Sequence, residues 1–224
     1  MNSSTINPTN ESSILALVRS VMPQRALTFY EALRIAELQA NRLLEISGIN
    51  GSAVPSKIVS ELPRIQVDYR DLPTSGLTFW SGDAWVICLN RSEPATRQRF
   101  TLFHEFKHIV DHGRTLQLYT GDHLHTADEQ AERAADYFAG CALMPKRLVK
   151  RAWGELLQHP GVLALAFGVS ASAAEVRLNQ LGLTEPRLRC TPGTTRSAHP
   201  DGDPYRRGVP ITPPATPNPQ EVAT

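Results

Sequence analysis

Apolar residues recur at helical spacing over residues 30–47, "YEALRIAELQANRLLEIS", where Leu33, Ile35, Ala36, Leu38, Leu43, Leu44 and Ile46 form one stripe and Gly48 supplies a stop. A short helix between prolines follows in "PSKIVSELP". The pattern then changes period. "RIQVDYRDL" alternates and is rich in β-formers, and in "GLTFWSGDAWVICLN" two β-prone runs flank a Ser-Gly-Asp turn, which predicts a hairpin. Helical spacing returns from Pro94 or Ala95 to His112, ending at Gly113, and again from Ala127 to Leu143, ending before Pro145. A further helical region runs over residues 147–183.

The two ends of the chain lack such patterning. Residues 1–25 are rich in Ser, Asn and Thr and read as mostly disordered, with "SILALVRSVM" as a short helix; residues 185–224 hold nine of the seventeen prolines and read as a disordered Pro-rich tail. The expected folded part is residues 26–184. Its fold class is α+β: a small twisted, antiparallel-containing sheet packed on a helical half, with a C-terminal helical hairpin at about residues 146–183.

Composition narrows the function classes only by exclusion. The 224 residues are 41% hydrophobic and 20% charged with a net charge of +1, so no charge excess points to nucleic acid or a membrane surface. Cys88, Cys141 and Cys190 are odd in number and widely spaced. They make neither a disulfide framework nor a CxxC metal pair, and they fit a reducing cytoplasm. No run of about eighteen apolar residues predicts a membrane span, and the polar N-terminus lacks the regions of a secretory signal. The expectation is a cytoplasmic protein whose function resides in a site.

That site is announced by "RFTLFHEFKHIVDHG", where His104, Glu105 and His108 spell H-E-x-x-H inside a helical pattern. Residues four apart share one helix face, about 6 Å apart along the axis, so both imidazoles reach one zinc at roughly 2.0–2.1 Å. Glu105, beside the first ligand, is placed to take a proton from a water that zinc has acidified to a pKa of about 7, as that water attacks a carbonyl. The opposing reading is a solvated helix face. Phe100, Leu102, Phe103, Phe106, Ile109 and Val110 argue for a buried helix, and a buried helix does not carry two histidines and a glutamate without partners.

A catalytic zinc needs a third protein ligand. His112 lies a further turn along, about 12 Å from His104 on the axis, and suits a helix C-terminus better. In "TADEQAERAADYFAGCALMP", Glu129, Glu132 and Asp136 share a helical face. Glu132 is the favoured ligand over Glu129, with Asp136, one turn on, accepting the outer N–H of a ligand histidine. His123 and His125, in the preceding loop, are further candidates.

With these words in place, the chain resembles the ImmA/IrrE-type zinc metallo-endopeptidases of bacteria and their mobile elements. "RQRFTLFHEFKHIVDH", "ERAADYFAGCALMP", the hairpin and "LALAFGVSASAAEVRLNQLGL" carry the resemblance over about residues 30–183. It implies a gluzincin-like site with His104, His108 and Glu132 as Zn2+ ligands and Glu105 as general base. It also implies an intracellular endopeptidase that cleaves a regulatory protein such as a helix-turn-helix repressor. Two positions depart from the family pattern: Lys107 replaces the usual glycine, a long cation expected near the cleft, and Asp136 replaces the usual asparagine. The group that stabilises the oxyanion is not legible among the tyrosines.

A rival function starts from residues 160–183. Two helices around Gly168-Val169-Ser170, with Ser170 as N-cap, read as a helix-turn-helix, and a non-enzymatic DNA-binding or antitoxin-like regulator would read bases through Arg177, Asn179 and Gln180. No basic cluster surrounds them, so a hairpin packed on the core is the favoured reading. Cys88 and Cys141 are expected in the core, Cys190 is an exposed thiol of the tail, and Trp80 and Trp85, flanking the hairpin turn, either shape one wall beside the cleft or simply pack.

Overall fold

The computed structural model describes residues 11–51 and 53–183. Helix α1 spans Glu11–Arg19, α2 Phe29–Ile46 and α3 Lys57–Ser60. Three strands follow, β1 Ile65–Arg70, β2 Gly76–Trp80 and β3 Trp85–Asn90. The remaining elements are α4 Ala95–Asp111, α5 Thr115–Leu118, α6 Ala127–Leu143, α7 Lys146–Gly154, α8 Pro160–Phe167 and α9 Ala171–Leu181. The fold class is α+β, as the sequence pattern predicts.

The sheet is mixed, in the order β1-β3-β2. β3 pairs parallel with β1, from Ile65 opposite Trp85 to Arg70 opposite Asn90, and antiparallel with β2, from Gly76 opposite Leu89 to Trp80 opposite Trp85. Central placement explains its sequence: Val86, Ile87, Cys88 and Leu89 are all buried, whereas the residues of the edge strands are half-buried or exposed. The parallel β1–β3 pairing is not legible in the alternation, which predicts strands and not their neighbours.

Helix α4 packs against β2, β3 and α6, and α6 packs in turn on α2. Ala134, Ala135, Ala139 and Ala142 are buried along α6, and such small side chains let its neighbours approach closely. Phe103, Phe106, Ile109 and Phe138 are fully buried in the common core, each contributing about 1.5–3 kcal/mol of burial. Thr126 and Glu129 form a capping box that starts α6, as Thr28 and Glu31 do for α2.

The folded part begins earlier than residue 26. Val18 and Met22 are buried in the core, and Arg19 donates to the carbonyls of Ile109 (2.7 Å) and Val110 (2.9 Å) at the end of α4. A nine-residue helix anchored by a bond across ninety positions leaves little periodic signal. Residues 1–10 and 184–224, which include Cys190 and all of the Pro-rich tail, lie outside the described residues.

In the C-terminal half, α8 and α9 meet at 107°. Gly168 takes a left-handed conformation at φ 63°, and Ser170 caps α9 by accepting from Ala173 N at 3.1 Å. Arg99 of α4 donates to the carbonyls of Phe167 (2.9 Å) and Gly168 (2.8 Å) and to that of Val54, so this turn is fastened to the central helix. Among the described residues, no single helix is long and apolar enough to cross a membrane.

Candidate metal centre

Helices α4 and α6 carry the polar cluster between them. His104 and His108, one turn apart on α4, face each other with their Nε2 atoms 3.1 Å apart. Glu132 of α6 reaches both: its Oε2 lies 3.2 Å from His104 Nε2 and its Oε1 lies 3.4 Å from His108 Nε2. Asp136, a turn further along α6, accepts from His104 Nδ1 at 2.9 Å. A carboxylate can only accept, so Nδ1 carries a proton and Nε2 is the atom left for Glu132 and His108: protonated, it donates to Glu132, and deprotonated, its lone pair is free to ligate.

One donor atom from each of His104, His108 and Glu132 falls within 4.8 Å of the others, an arrangement that could hold a metal ion. Two imidazole nitrogens and a carboxylate bring together more lone pairs than protons, which a cation relieves. Two nitrogens and an oxygen also suit zinc or a similar divalent ion. The groups already feel one another. Burial works against the charged form of His104, but its bonds to Asp136 and Glu132 outweigh this and raise its pKa to about 9. Burial, with the charge of His104 beside it, pushes His108 down, and the bond from His104 holds the Glu132 carboxyl down.

Glu105 is buried beside this cluster, and its Oε2 accepts from the Thr78 hydroxyl of β2 at 2.7 Å. Close approach of β2 depends on Gly76. A Cβ there would lie 2.5 Å from Thr101 Cγ2 and 3.3 Å from Glu105 Oε1, so any side chain would push the strand off the helix. The loop before β2 is pinned by Asn90, whose Nδ2 donates to the carbonyls of Leu72 (2.9 Å) and Thr74 (3.2 Å). Around these groups opens a cleft of about 610 Å³, lined also by Ser75, Arg97 and Phe100.

The chain matches the family model for the IrrE N-terminal-like domain, Peptidase_M78, over residues 64–179, which is just over half of its length. The chain belongs to this family. Matched residues begin at Arg64, so they take in the sheet, α4, α6 and most of α9, while α1 to α3 precede them. Among solved structures, a Mycobacterium tuberculosis transcriptional regulator has a similar fold, with 22% sequence identity and a TM-score of 0.53. The similarity covers 79% of this chain and 53% of that one, so the chain spans about half of the regulator's length. No curated protein matches the chain.

Of the residues singled out from the sequence, the structure gathers His104, Glu105, His108, Glu132 and Asp136. Glu129 is used elsewhere, accepting from Thr126 N at 2.8 Å in the cap of α6. His125 stacks on Phe29 and bonds Asp122, and His112 packs against Trp85. Neither Trp80 nor Trp85 lines the cleft: they pack on each other at 5.4 Å, away from it. Lys107 also departs from expectation. It is only 1% exposed and turned into the interior, paired with Asp111 and donating to the Tyr119 hydroxyl at 2.9 Å. Tyr119 in turn donates to Asp111 at 2.6 Å. Burial pushes Lys107 down and Tyr119 up. The partners of Lys107 on the core side are Asp111, one turn on, and Tyr119 beyond the helix end. Thr78 and Gly76 are the site residues that sequence reasoning passed over; a lone threonine inside the apolar hairpin was the available sign.

Proposed function

We propose that the chain is a zinc-dependent endopeptidase acting in the cytoplasm on a regulatory protein, such as a helix-turn-helix repressor. The observation that carries this reading is the convergence of His104, His108 and Glu132 beside a buried Glu105, on the floor of an open cleft. Zinc held by the three donors supplies Lewis acidity there, polarising a peptide carbonyl and acidifying water. Asp136 keeps His104 in the tautomer that ligates. Glu105 takes the proton of the attacking water and returns it to the amide nitrogen as the C–N bond breaks. Its hydrogen bond to Thr78 holds one oxygen still, so the other is oriented for transfer.

Substrate reaches this centre along β2, whose outer edge is unpaired among the described residues. An extended peptide added to such an edge gains main-chain hydrogen bonds without regard to sequence. The buried free thiols Cys88 and Cys141 fit a reducing compartment. The transcriptional regulator with a similar fold favours a regulatory setting. The DNA-binding alternative loses its main residue: Arg177 is buried, donating to Met144 O at 3.0 Å, and faces no groove-reading surface.

The test pairs elemental analysis with cleavage of purified helix-turn-helix repressors, beginning with those encoded beside the gene. One zinc per chain and cleavage that Glu105→Gln abolishes while zinc is retained is the expected result. Cleavage that survives Glu105→Gln, or a folded protein that takes up no zinc on reconstitution, would overturn the reading.

A further inference from the structure

A second cavity, of about 380 Å³, adjoins the metal cleft and shares Arg97, Phe100 and Asp136 with it. That volume is at the lower end of the range for ligand pockets, about 300–1,000 Å³. Its walls come from four helices and are mostly apolar: Phe29 and Leu33 of α2, Phe100 of α4, Tyr137 and Gly140 of α6, and Val176 of α9. Arg177 also lines it, 1% exposed, with Nη1 donating to Gln180 at 3.1 Å and Nη2 lacking an acceptor among the described residues.

Gly140 is the informative residue. It sits inside α6, where glycine is destabilising relative to alanine. Packing does not demand it, because a Cβ at this position would meet nothing within 4 Å, and its φ is not positive. The absent side chain leaves the groove open beside the cleft. Two further cations line the groove. Arg97 is 55% exposed, lines both cavities and donates to Ser75 Oγ at 3.1 Å, and Arg133, exposed on α6, lines the groove alone.

We propose that this groove is a substrate subsite that takes a bulky apolar side chain, aromatic or leucine-like, from a peptide lying across the metal cleft, and that Arg97 and Arg133 favour an acidic residue next to it. Continuity with the cleft, the apolar walls and these two cations select this occupant. The assignment rests on the peptidase reading for its purpose, but binding can be measured without hydrolysis.

The experiment uses the full chain carrying Glu105→Gln and loaded with zinc, titrated with fluorescein-labelled Gly/Ser decapeptides whose centre is Glu-Phe, Glu-Ala or Lys-Phe, read by anisotropy. The expected preference for Glu-Phe over Glu-Ala is about tenfold or more, the scale of a filled apolar pocket. Gly140→Leu, which fills the groove, should remove that preference and leave the Glu-Ala peptide unaffected. Arg97→Gln should reduce the preference for Glu-Phe over Lys-Phe by about two- to fivefold, as for an exposed ion pair. Val176→Glu, at a half-exposed position, is the second variant if Gly140→Leu fails to fold, and should weaken Glu-Phe in the same way. Absence of any phenylalanine preference, or a preference that survives both groove variants, would overturn the assignment. A groove already filled by the chain's own residues beyond 183 would show as no peptide binding at all, and that result overturns it too. Hydrolysis by the Glu105 protein without groove dependence would remove the subsite and leave the peptidase. Selective binding without hydrolysis would do the reverse.

Discussion

Helix α4 carries two pairs of ionisable residues at the same spacing, His104 with His108 and Lys107 with Asp111, turned by about 60° from each other around the axis. Their fates differ. The lysine and aspartate are 1% and 5% exposed by side chain and bond each other and Tyr119. The histidines are directed instead at each other, at a glutamate from a second helix and at an open cleft. A structural pair turns its charges on each other in the interior, whereas a site gathers donor atoms that a further partner can reach. Spacing along a helix cannot separate these cases; what each face meets decides.

The largest effect should come from opening the closed pair. Lys107→Ala leaves the Asp111 carboxylate buried without its cation and should destabilise the fold by about 3–5 kcal/mol. In urea unfolding the midpoint would fall accordingly, while protein that remains folded keeps its metal. Because Asp111 Oδ1 already lacks a partner among the described residues, Lys107→Met with Asp111→Leu and Tyr119→Phe, which leaves no buried hydroxyl unpaired, should restore the parent midpoint to within about 1 kcal/mol, since apolar replacement of a buried pair is often neutral or better. A single variant as stable as the parent would show that the two pairs are not so different.

On the open side, Asp136→Ala frees His104 Nδ1. Metal affinity should fall about 10- to 100-fold, with little change in unfolding of the metal-free chain above pH 9. Chelator competition reads this directly, and unchanged affinity would remove Asp136 from the centre.

The same carboxylate gives the metal-free chain a pH signature. The folded pKa of His104, raised to about 9, lies above its ordinary value of 6.5. Its contribution to stability is therefore complete below 6.5 and disappears as pH rises through 9, a change on the order of 3 kcal/mol. Melting curves of metal-free parent and Asp136→Ala should diverge below pH 9 and converge above it. Parallel curves would contradict the coupling.

The smallest effect belongs to Thr78→Val, which deletes the hydroxyl that steadies Glu105. A loss of about 1 kcal/mol, roughly fivefold in kcat/KM with zinc content unchanged, is expected for one hydrogen bond. A drop as deep as that of Glu105→Gln would mean that Thr78 does more than orient.

Much of this architecture is legible in one sequence because it rests on local chemistry. The helical stripes, the Ser-Gly-Asp turn and the H-E-x-x-H spacing each follow from a few neighbouring residues. Glu132 could be preferred to Glu129 from the pattern, and the reason is now visible: Glu129 closes the cap of its own helix. What could not be read depends on distant partners. Lys107 looks like a surface cation until Tyr119 and Asp111 surround it. Arg177 looks like a base reader until Met144 and Gln180 accept its hydrogen bonds. Strand order, the anchoring of α1 and the role of Gly76 likewise depend on contacts that no short window contains.

The grip of Arg99 has a consequence in time. The carbonyls it holds, those of Phe167 and Gly168, come 68 and 69 residues later in the chain. During synthesis the whole H-E-x-x-H helix leaves the ribosome, at about 5–20 residues per second, seconds before the turn that fastens it exists. The H-E-x-x-H helix is thus made early and locked late, so a nascent chain passes through a window in which it holds His104, Glu105, His108, Glu132 and Asp136 but not yet the finished cleft.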